Sequence, residues 1–320
     1  MNIWIILLIA IIVLTVLLFL AAATFFFFYT FVRREEESRM IFKPEDEKYF
    51  GDFYKTIHGG ADYIMAQKYD EHRIKSFDGV MLFGRYLKNG DSKKTVMLFH
   101  GYRSCCEKDF SGSFKYYVDN GFNVFIADQR AHENSNGKII TFGVKESRDL
   151  HVWLKYIIDT YGDDKDIYLC GLSMGAATVL FSTKYKMPEN VKGIIADCGF
   201  DSPEKILRNV AKKNFHINGF LMMPTLNLFC MIFGRFSLYG ISSEKSLKNF
   251  KKPVLFIHGT GDDFVPYAMS VSAFEAANEP KFLCSVEGAS HGLSYLVDTP
   301  KVQKAFKDFI DYCESENNNL

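Results

Sequence analysis

Charged side chains are missing from the first 32 residues of this 320-residue chain. Residues 3–32 form an apolar run interrupted only by Thr15, Thr24 and Thr30. At about 1.5 Å per residue, a helix of this length exceeds a hydrocarbon core of about 30 Å. Secretory signals usually have basic residues before a shorter apolar region, and both features are missing here. The run therefore predicts an uncleaved transmembrane anchor, residues 1–32, rather than a cleaved signal or a buried core helix.

An excess of either charge is also missing, because 38 basic residues balance 38 acidic ones. Nucleic-acid-binding proteins usually carry a basic excess or patch, and no acidic tail is present either. We therefore expect no nucleic-acid partner.

Zinc-binding and disulfide patterns are missing as well. The seven cysteines are odd in number, and none forms a C-x-x-C pair or a Cys/His cluster with zinc spacing. Cys170 and Cys284 lie inside apolar runs, which predicts buried thiols and favours a reducing compartment. Basic residues follow the anchor and none precedes it (Arg33, Arg34, Arg39 and Lys43). The positive-inside tendency therefore favours the cytoplasmic side for the rest of the chain.

Short apolar runs alternate with helical patterns after residue 72. Each run is closed by a turn or polar residue, as is typical of central parallel strands. The alternation predicts an α/β fold with a mostly parallel, doubly wound sheet of about eight strands. The predicted strands are residues 80–87, 95–99, 122–127, 167–170, 193–196, 253–257 and 281–286, and the predicted helices include residues 144–161, 176–186 and 302–314.

The domain organisation follows from the breaks in this pattern. Residues 33–71 predict a juxtamembrane linker and helix, and residues 72–320 the main domain. More than fifty residues between Asp197 and Pro253 show no clear strand pattern but are rich in Met and Phe. They predict a helical lid insertion, about residues 200–250, over the carboxyl edge of the sheet. Its apolar side chains line an acyl pocket or simply pack the lid helices, and the sequence leaves both open.

A candidate nucleophile lies between a predicted strand and a predicted helix. Gly171-Leu172-Ser173-Met174-Gly175 fits G-x-S-x-G, in which a sharp strand-to-helix turn exposes a strained serine. The flanking glycines remove side chains that would clash in this turn. Ser173 is therefore the predicted nucleophile.

Two later loops offer an acid and a base. The loop at 258–266 contains adjacent carboxylates, and its H-G-x-x-D spacing favours Asp262 over Asp263, with Asp197 as a third candidate. His291 follows the last predicted strand, in a loop after the acid. The resulting order, Ser-Asp-His, is that of an α/β serine hydrolase triad. A carboxylate at this place would orient the imidazole and stabilise its charged form.

The turn after residues 95–99 is a candidate oxyanion site. His100-Gly101-Tyr102-Arg103 can direct a backbone N–H towards developing negative charge. We expect the donors to be the backbone N–H groups of Tyr102 and Met174. His100 itself is predicted to be structural, and the superficially similar residues 58–60 are predicted to form a turn.

These motifs together resemble the α/β-hydrolase superfamily, and most closely bacterial hydrolases related to the serine aminopeptidase group. The segments that carry the resemblance are HGYRS at 100–104, DQRAHENSNG at 128–137, TFGVKESRDL at 141–150, GLSMG at 171–175, HGTGDDFVP at 258–266 and GASHG at 288–292. Ala131 departs from the pattern, since relatives often have glycine there. The resemblance implies an α/β-hydrolase fold and a hydrolase that needs no metal and no cofactor.

The predicted activity is hydrolysis of carboxylic esters, lipid esters and thioesters included, through an acyl-enzyme on Ser173. A serine peptidase or aminopeptidase is the alternative, with Asp201 and Glu204 as candidates for holding a free amine. A second alternative is a non-catalytic binding module on the same fold. The expected partners are a small acyl ester or short peptide as substrate and a membrane that holds the N-terminal helix.

Overall fold

The computed structural model describes residues 2–34, 42, 46–216, 219 and 222–317. Arg39 and Lys43, which contribute to the predicted membrane orientation, lie outside these residues. One eight-stranded sheet forms the centre, in the order β1-β2-β4-β3-β5-β6-β7-β8. The strands are β1 (Asp70–Lys75), β2 (Met81–Leu87), β3 (Lys94–Phe99), β4 (Asn123–Asp128), β5 (Asp166–Leu172), β6 (Val191–Asp197), β7 (Val254–Gly259) and β8 (Lys281–Val286).

The first three strands in this order, β1, β2 and β4, pair antiparallel, and the remaining neighbours pair parallel. The mostly parallel α/β sheet predicted from the sequence is therefore confirmed. All seven predicted strands are present, and β1 is an additional one.

Helices cover both faces of the sheet. They are α1 (Ile3–Phe31), α2 (Asp46–Phe50), α3 (Tyr54–Met65), α4 (Cys106–Asp109), α5 (Phe114–Asp119), α6 (Glu146–Tyr161), α7 (Met174–Ser182), α8 (Pro203–Phe215), α9 (Met222–Phe229), α10 (Ser243–Leu247), α11 (Tyr267–Ala276), α12 (Ser294–Val297) and α13 (Thr299–Asn317). A 3-10 turn, Gly51–Phe53, precedes α3, and a π-helix, Cys230–Gly234, continues α9. Separate buried apolar clusters pack on the two faces of the sheet.

The prediction of a turn at residues 58–60 is wrong, because these residues lie inside α3. The second glycine of the pair, Gly60, permits a close helix contact instead of a turn. A Cβ atom on Gly60 would lie 2.1 Å from the carbonyl oxygen of Ser111. Only glycine allows α3 to approach the α4–α5 connection this closely.

Three helices and the π-helix connect β6 to β7, and the described residues of this connection include no strand. Ser202 begins α8 as an N-cap whose hydroxyl accepts from the Lys205 N–H, with Pro203 at the first helical position. This helical connection is where the sequence predicts the lid, and its bounds at about 200–250, like the other domain boundaries, stay a prediction.

The N-terminal helix α1 is long and apolar enough to cross a membrane by length and composition. Its early residues are exposed, but Ala23, Phe27 and Phe31 on its last turns are buried against the body. Phe27 contacts Phe233 of the π-helix with ring centroids 5.6 Å apart, and Phe31 contacts Phe142 at 5.5 Å. A third apolar cluster thus joins the end of α1 to the helices between β6 and β7.

Candidate active site

Ser173 lies in the sharp turn between β5 and α7. Its backbone has φ +55° and ψ −113°, a conformation that is strained for a residue with a side chain. The turn depends on its flanking glycines. A Cβ on Gly175 would lie 1.8 Å from the carbonyl oxygen of Phe99, and a Cβ on Gly171 would lie 2.2 Å from the carbonyl carbon of Gly175. The predicted geometry of the G-x-S-x-G turn is therefore present.

His291 lies in the loop after β8 and contacts Ser173 directly. Its Nε2 atom is 2.9 Å from Ser173 Oγ, and its Nδ1 atom is 2.6 Å from Asp262 Oδ2. A serine, an imidazole and a carboxylate from three separate loops thus form one hydrogen-bonded chain. Such a chain can transfer a proton from the hydroxyl to the imidazole while the carboxylate stabilises the resulting charge.

Asp262 has four hydrogen bonds that hold it as a carboxylate. Its Oδ2 contacts His291 and also His258 Nε2 at 3.1 Å, while Oδ1 accepts from the N–H groups of Phe264 and Val265 at 2.9 and 2.8 Å. Burial by itself would raise the pKa of Asp262. The hydrogen bonds from both histidines and from the Val265 N–H outweigh burial and hold the pKa well below its usual range.

The other candidate acids lie elsewhere. The Asp263 side chain is 94% exposed and forms an ion pair with Lys213 at 3.4 Å. Asp197 ends β6, and its buried Oδ1 atom has no hydrogen-bond partner among the described residues. Burial raises the pKa of Asp197 to about 7. The structure therefore brings Asp262, the candidate that the motif spacing favours, to His291.

His258 is a contributor that the sequence analysis did not single out. It is the penultimate residue of β7 and is fully buried, and its Nδ1 atom is 2.6 Å from the hydroxyl of Ser270 on α11. Its Nε2 contacts both Asp262 and the carbonyl oxygen of Val265. His258 therefore fixes the loop that contains Asp262. The four-residue spacing between His258 and Asp262 is the sequence signal that could have identified it.

The candidate oxyanion donors lie on the two sides of Ser173. Met174 is the first residue of α7, where helical N–H groups have no partner within the helix. Tyr102 lies between two residues whose N–H groups are fixed, since Gly101 donates to Asp109 at 2.6 Å and Arg103 donates to His132 at 3.0 Å. The loop is thus held in one conformation, and the role of these two N–H groups stays a prediction.

The loop at 128–137 packs against the turn that contains Tyr102 and helps to fix it. Arg130 is buried and donates two hydrogen bonds of 2.6 Å to Asp149 and others to Asp78. His132 of the same loop accepts from the Arg103 N–H. Ala131 has φ +60°, a conformation that glycine adopts at lower cost, which accounts for the glycine expected there. His100, which the sequence predicts to be structural, is buried and accepts from the Gln129 N–H.

Two cavities meet at Ser173. The polar cavity, of about 220 Å³, is named for the charged groups on its border, which include Lys108, Asp46, Asp109 and Asp197, although apolar side chains line most of it. The apolar cavity, of about 210 Å³, is lined by side chains of α1, α8 and α9, and none of its described lining residues is charged. The acyl part and the leaving group of a substrate bound at Ser173 can therefore lie in different cavities.

The carboxylates proposed to hold a free amine already have cationic partners. Asp201 pairs with Lys205, and Glu204 pairs with Arg208. In the polar cavity, Asp46 pairs with Lys108 at 3.1 Å, and Asp109 accepts from Ser104 at 2.5 Å. Asp201, Glu204 and Asp46 are therefore compensated in charge before any substrate arrives, whereas Asp109 accepts from the neutral Ser104 hydroxyl.

One group of side chains among the described residues has the spacing of metal ligands: Cys198, Asp262 and His291, with atoms within 4.8 Å of one another. Two of these residues belong to the hydrogen-bonded chain. Burial raises the pKa of the Cys198 thiol well above its usual value, which keeps it protonated and a poor metal ligand. All seven cysteines are buried and free.

Comparisons with known proteins agree with this architecture. Residues 90–220 match the model of the family described as serine aminopeptidase, S33. The uncharacterized protein YqkD of Bacillus subtilis (strain 168) is 27% identical over 241 residues, which are 74% of this chain and 78% of YqkD.

Solved structures of esterases have the same fold. The esterase Pf2001 of Pyrococcus furiosus is 25% identical, with a TM-score of 0.64 over 78% of this chain and 93% of that chain. Est1E of Butyrivibrio proteoclasticus, solved with ferulic acid bound, is 19% identical, with a TM-score of 0.61 over 76% of this chain and 99% of Est1E.

Proposed function

We propose that this chain, which belongs to the α/β-hydrolase superfamily, is a membrane-anchored serine hydrolase that cleaves carboxylic esters. The observation that carries the proposal is the hydrogen-bonded chain from Ser173 through His291 to Asp262. An esterase among the most similar solved structures supports the ester specificity.

The reaction takes place in two acyl-transfer steps. His291 Nε2 accepts the Ser173 proton while Oγ attacks the ester carbonyl, and Asp262 stabilises the imidazolium. The N–H groups of Tyr102 and Met174 stabilise the negative oxygen. The C–O bond then breaks, and His291 protonates the departing alcohol. Water, deprotonated by His291, hydrolyses the acyl-enzyme and releases the acid, which regenerates Ser173.

Ester hydrolysis fits the site better than aminopeptidase activity. An aminopeptidase needs an uncompensated negative group to bind the substrate's amine, whereas Asp201, Glu204 and Asp46 are already paired with Lys or Arg. Among the residues that the structure describes, those lining the apolar cavity are all uncharged. An apolar acyl group is the substrate part that such a cavity stabilises.

Two features support a membrane anchor. The early part of α1 is exposed and apolar. Four large apolar side chains are also at least half exposed on α9 and the π-helix: Leu228, Met231, Ile232 and Phe233. These four residues, which we call the apolar ridge, adjoin α1 through the contact between Phe27 and Phe233. A contiguous apolar surface beside an apolar helix is typical of a protein seated in a membrane.

We place the body of the protein on the cytoplasmic side. Arg33 and Arg34 follow the anchor directly, and the positive-inside tendency places such a basic flank in the cytoplasm. Seven free, buried cysteines also suit a reducing compartment.

The test uses the full chain in lipid nanodiscs, because α1 packs against the body. Wild type and Ser173→Ala are compared on nitrophenyl esters from acetate to palmitate and on an aminoacyl anilide. We expect ester hydrolysis that falls at least 10³-fold in the variant. Anilide hydrolysis without ester hydrolysis would establish the peptidase. An inert wild type that a serine-directed phosphonate also fails to label would establish the binding module.

A further inference from the structure

The end of the N-terminal helix borders the apolar cavity. Phe26, Tyr29 and Thr30 line it on one side, and Ser173 lies on its border. α8 and α9 supply other walls through apolar residues that include Leu207 and Met223. The segment predicted to be a transmembrane anchor is therefore also part of the surface around the candidate nucleophile.

The helix is held in this place by specific polar contacts. The last carbonyl groups of an α-helix have no partner within the helix. Here the Tyr102 hydroxyl donates to the carbonyl of Thr30 at 2.8 Å, and the Arg103 guanidinium donates to those of Tyr29 and Val32 at 2.7 and 3.0 Å. The same turn that contains a candidate oxyanion donor thus caps the helix.

The chain after the helix is also fixed to the body. Val32 forms an antiparallel bridge with Ile139, and the Ile140 N–H donates to the carbonyl of Phe31 at 2.8 Å. The Arg33 guanidinium donates to the carbonyls of Ser135 and Glu133, each at 2.6 Å. A flexible tether would not need these contacts.

We propose that the apolar cavity binds an aliphatic acyl chain and that the last turns of α1 form a wall of it that selects chain length. The inference rests on the proposed ester hydrolysis and adds a substrate class to it. A cavity of 150 Å³ accommodates benzene, so 210 Å³ accommodates roughly six to ten carbon atoms. The substrate class is therefore esters of medium-chain aliphatic acids.

The cavity's chemistry supports this class. In the described part of the chain no charged side chain lines it, and the polar side chains at its border include the hydroxyls of Tyr29, Thr30, Tyr102 and Ser173. Each methylene removed from water contributes about 0.8 kcal/mol, or roughly fourfold in kcat/KM. We expect kcat/KM to rise from acetate to an optimum between hexanoate and decanoate.

The test changes the anchor's contribution to the cavity in both directions. Phe26→Ala removes a large side chain and widens the cavity, and Thr30→Phe adds one and narrows the cavity. Phe28→Ala is the matched control, because Phe28 lies on the same helix, is 58% exposed and does not line the cavity. Each variant is assayed as the full chain in nanodiscs on the nitrophenyl ester series.

The expected result is a shift of the optimum by two or more carbons, to longer chains for Phe26→Ala and to shorter chains for Thr30→Phe. Thr30→Phe should lower kcat/KM for the octanoate ester at least tenfold and for acetate less than threefold. The inference is overturned if both variants keep the wild-type profile, or if Phe28→Ala shifts it equally.

A binding measurement separates this inference from the proposed reaction. Radiolabelled decanoic acid is titrated onto Ser173→Ala protein in nanodiscs, with uptake by empty nanodiscs subtracted. Saturable binding that Thr30→Phe weakens at least fivefold supports the cavity even if hydrolysis is never observed. No saturable binding, with acetate hydrolysis intact in wild type, would refute the acyl cavity and leave the hydrolase standing.

Discussion

Replacement of Asp262 by asparagine tests the core of the proposed site, because this side chain contacts two histidines. Asp262→Asn keeps the shape and exchanges one acceptor oxygen for an NH₂ donor. In the wild type the N–H groups of Phe264 and Val265 donate to Oδ1, and the remaining oxygen of the asparagine can still accept from both. The amide nitrogen then faces His291 Nδ1, 2.6 Å from the present position of Oδ2.

Two donors cannot face each other at this distance. His291 must therefore move its proton from Nδ1 to Nε2, which faces Ser173. An imidazole with its proton on Nε2 cannot accept the serine proton. The corresponding aspartate-to-asparagine change in a serine protease triad lowers kcat about 10⁴-fold. We expect a similar loss here, which corresponds to about 5.5 kcal/mol of transition-state stabilisation.

The neighbouring carboxylate provides the matched control. Asp263→Asn is the same chemical change one residue away, at an exposed side chain that contacts Lys213. Both variants are assayed on the octanoate ester, and near-ultraviolet circular dichroism checks that each is folded. Asp263→Asn should keep kcat within threefold of wild type. A folded Asp262→Asn protein with more than a tenth of wild-type kcat would refute the assigned role of Asp262.

Two further predictions concern stability and membrane contact. Asp197 has a folded-state pKa raised to about 7, so the folded protein binds its proton more tightly than the unfolded chain, and stability falls as pH rises from about 4 through 7. Asp197→Asn should therefore raise the free energy of unfolding at pH 8.5 by about 2–4 kcal/mol and change it little at pH 4.5. Urea titrations of both proteins across this pH range measure the difference. A difference in the free energy of unfolding that does not change with pH would contradict this prediction. For the apolar ridge, Phe233→Trp in a Trp4→Phe background should be quenched by brominated lipids and protected from acrylamide, whereas Tyr185→Trp, a partly exposed site on the body, should show the reverse. Equal quenching at the two positions would contradict seating of the ridge in the membrane.

The sequence predicted the strands that are buried on both faces. β3, β4 and β7 consist mainly of apolar residues, each run ends at a glycine, histidine or aspartate, and the motif residues occur at these ends. β1 was not predicted, because its sequence, DEHRIK, is that of an exposed edge strand without apolar alternation. An edge strand of this kind forms through backbone pairing with β2, which composition does not reveal.

The site was predicted to the extent that local sequence determines it. The turn at Ser173 requires glycine on both sides, and chain order identifies the loops of Asp262 and His291. The role of His258 depends on a contact with Ser270, twelve residues away on α11, and the capping of α1 by Tyr102 joins residues 72 positions apart. Contacts of this kind depend on tertiary packing and have no local pattern.

The length of α1 connects the anchor to the site. Its 29 residues exceed the roughly 20 needed to cross a bilayer by about nine. The structure gives the last nine residues another role, because Ala23, Phe27 and Phe31 are buried in the body. On the proposed anchoring, residues 3–22 suffice for the span, which would place the cavity beside Phe26 close to the membrane surface. An acyl chain that leaves the bilayer there would reach Ser173 along an apolar surface, without first entering water.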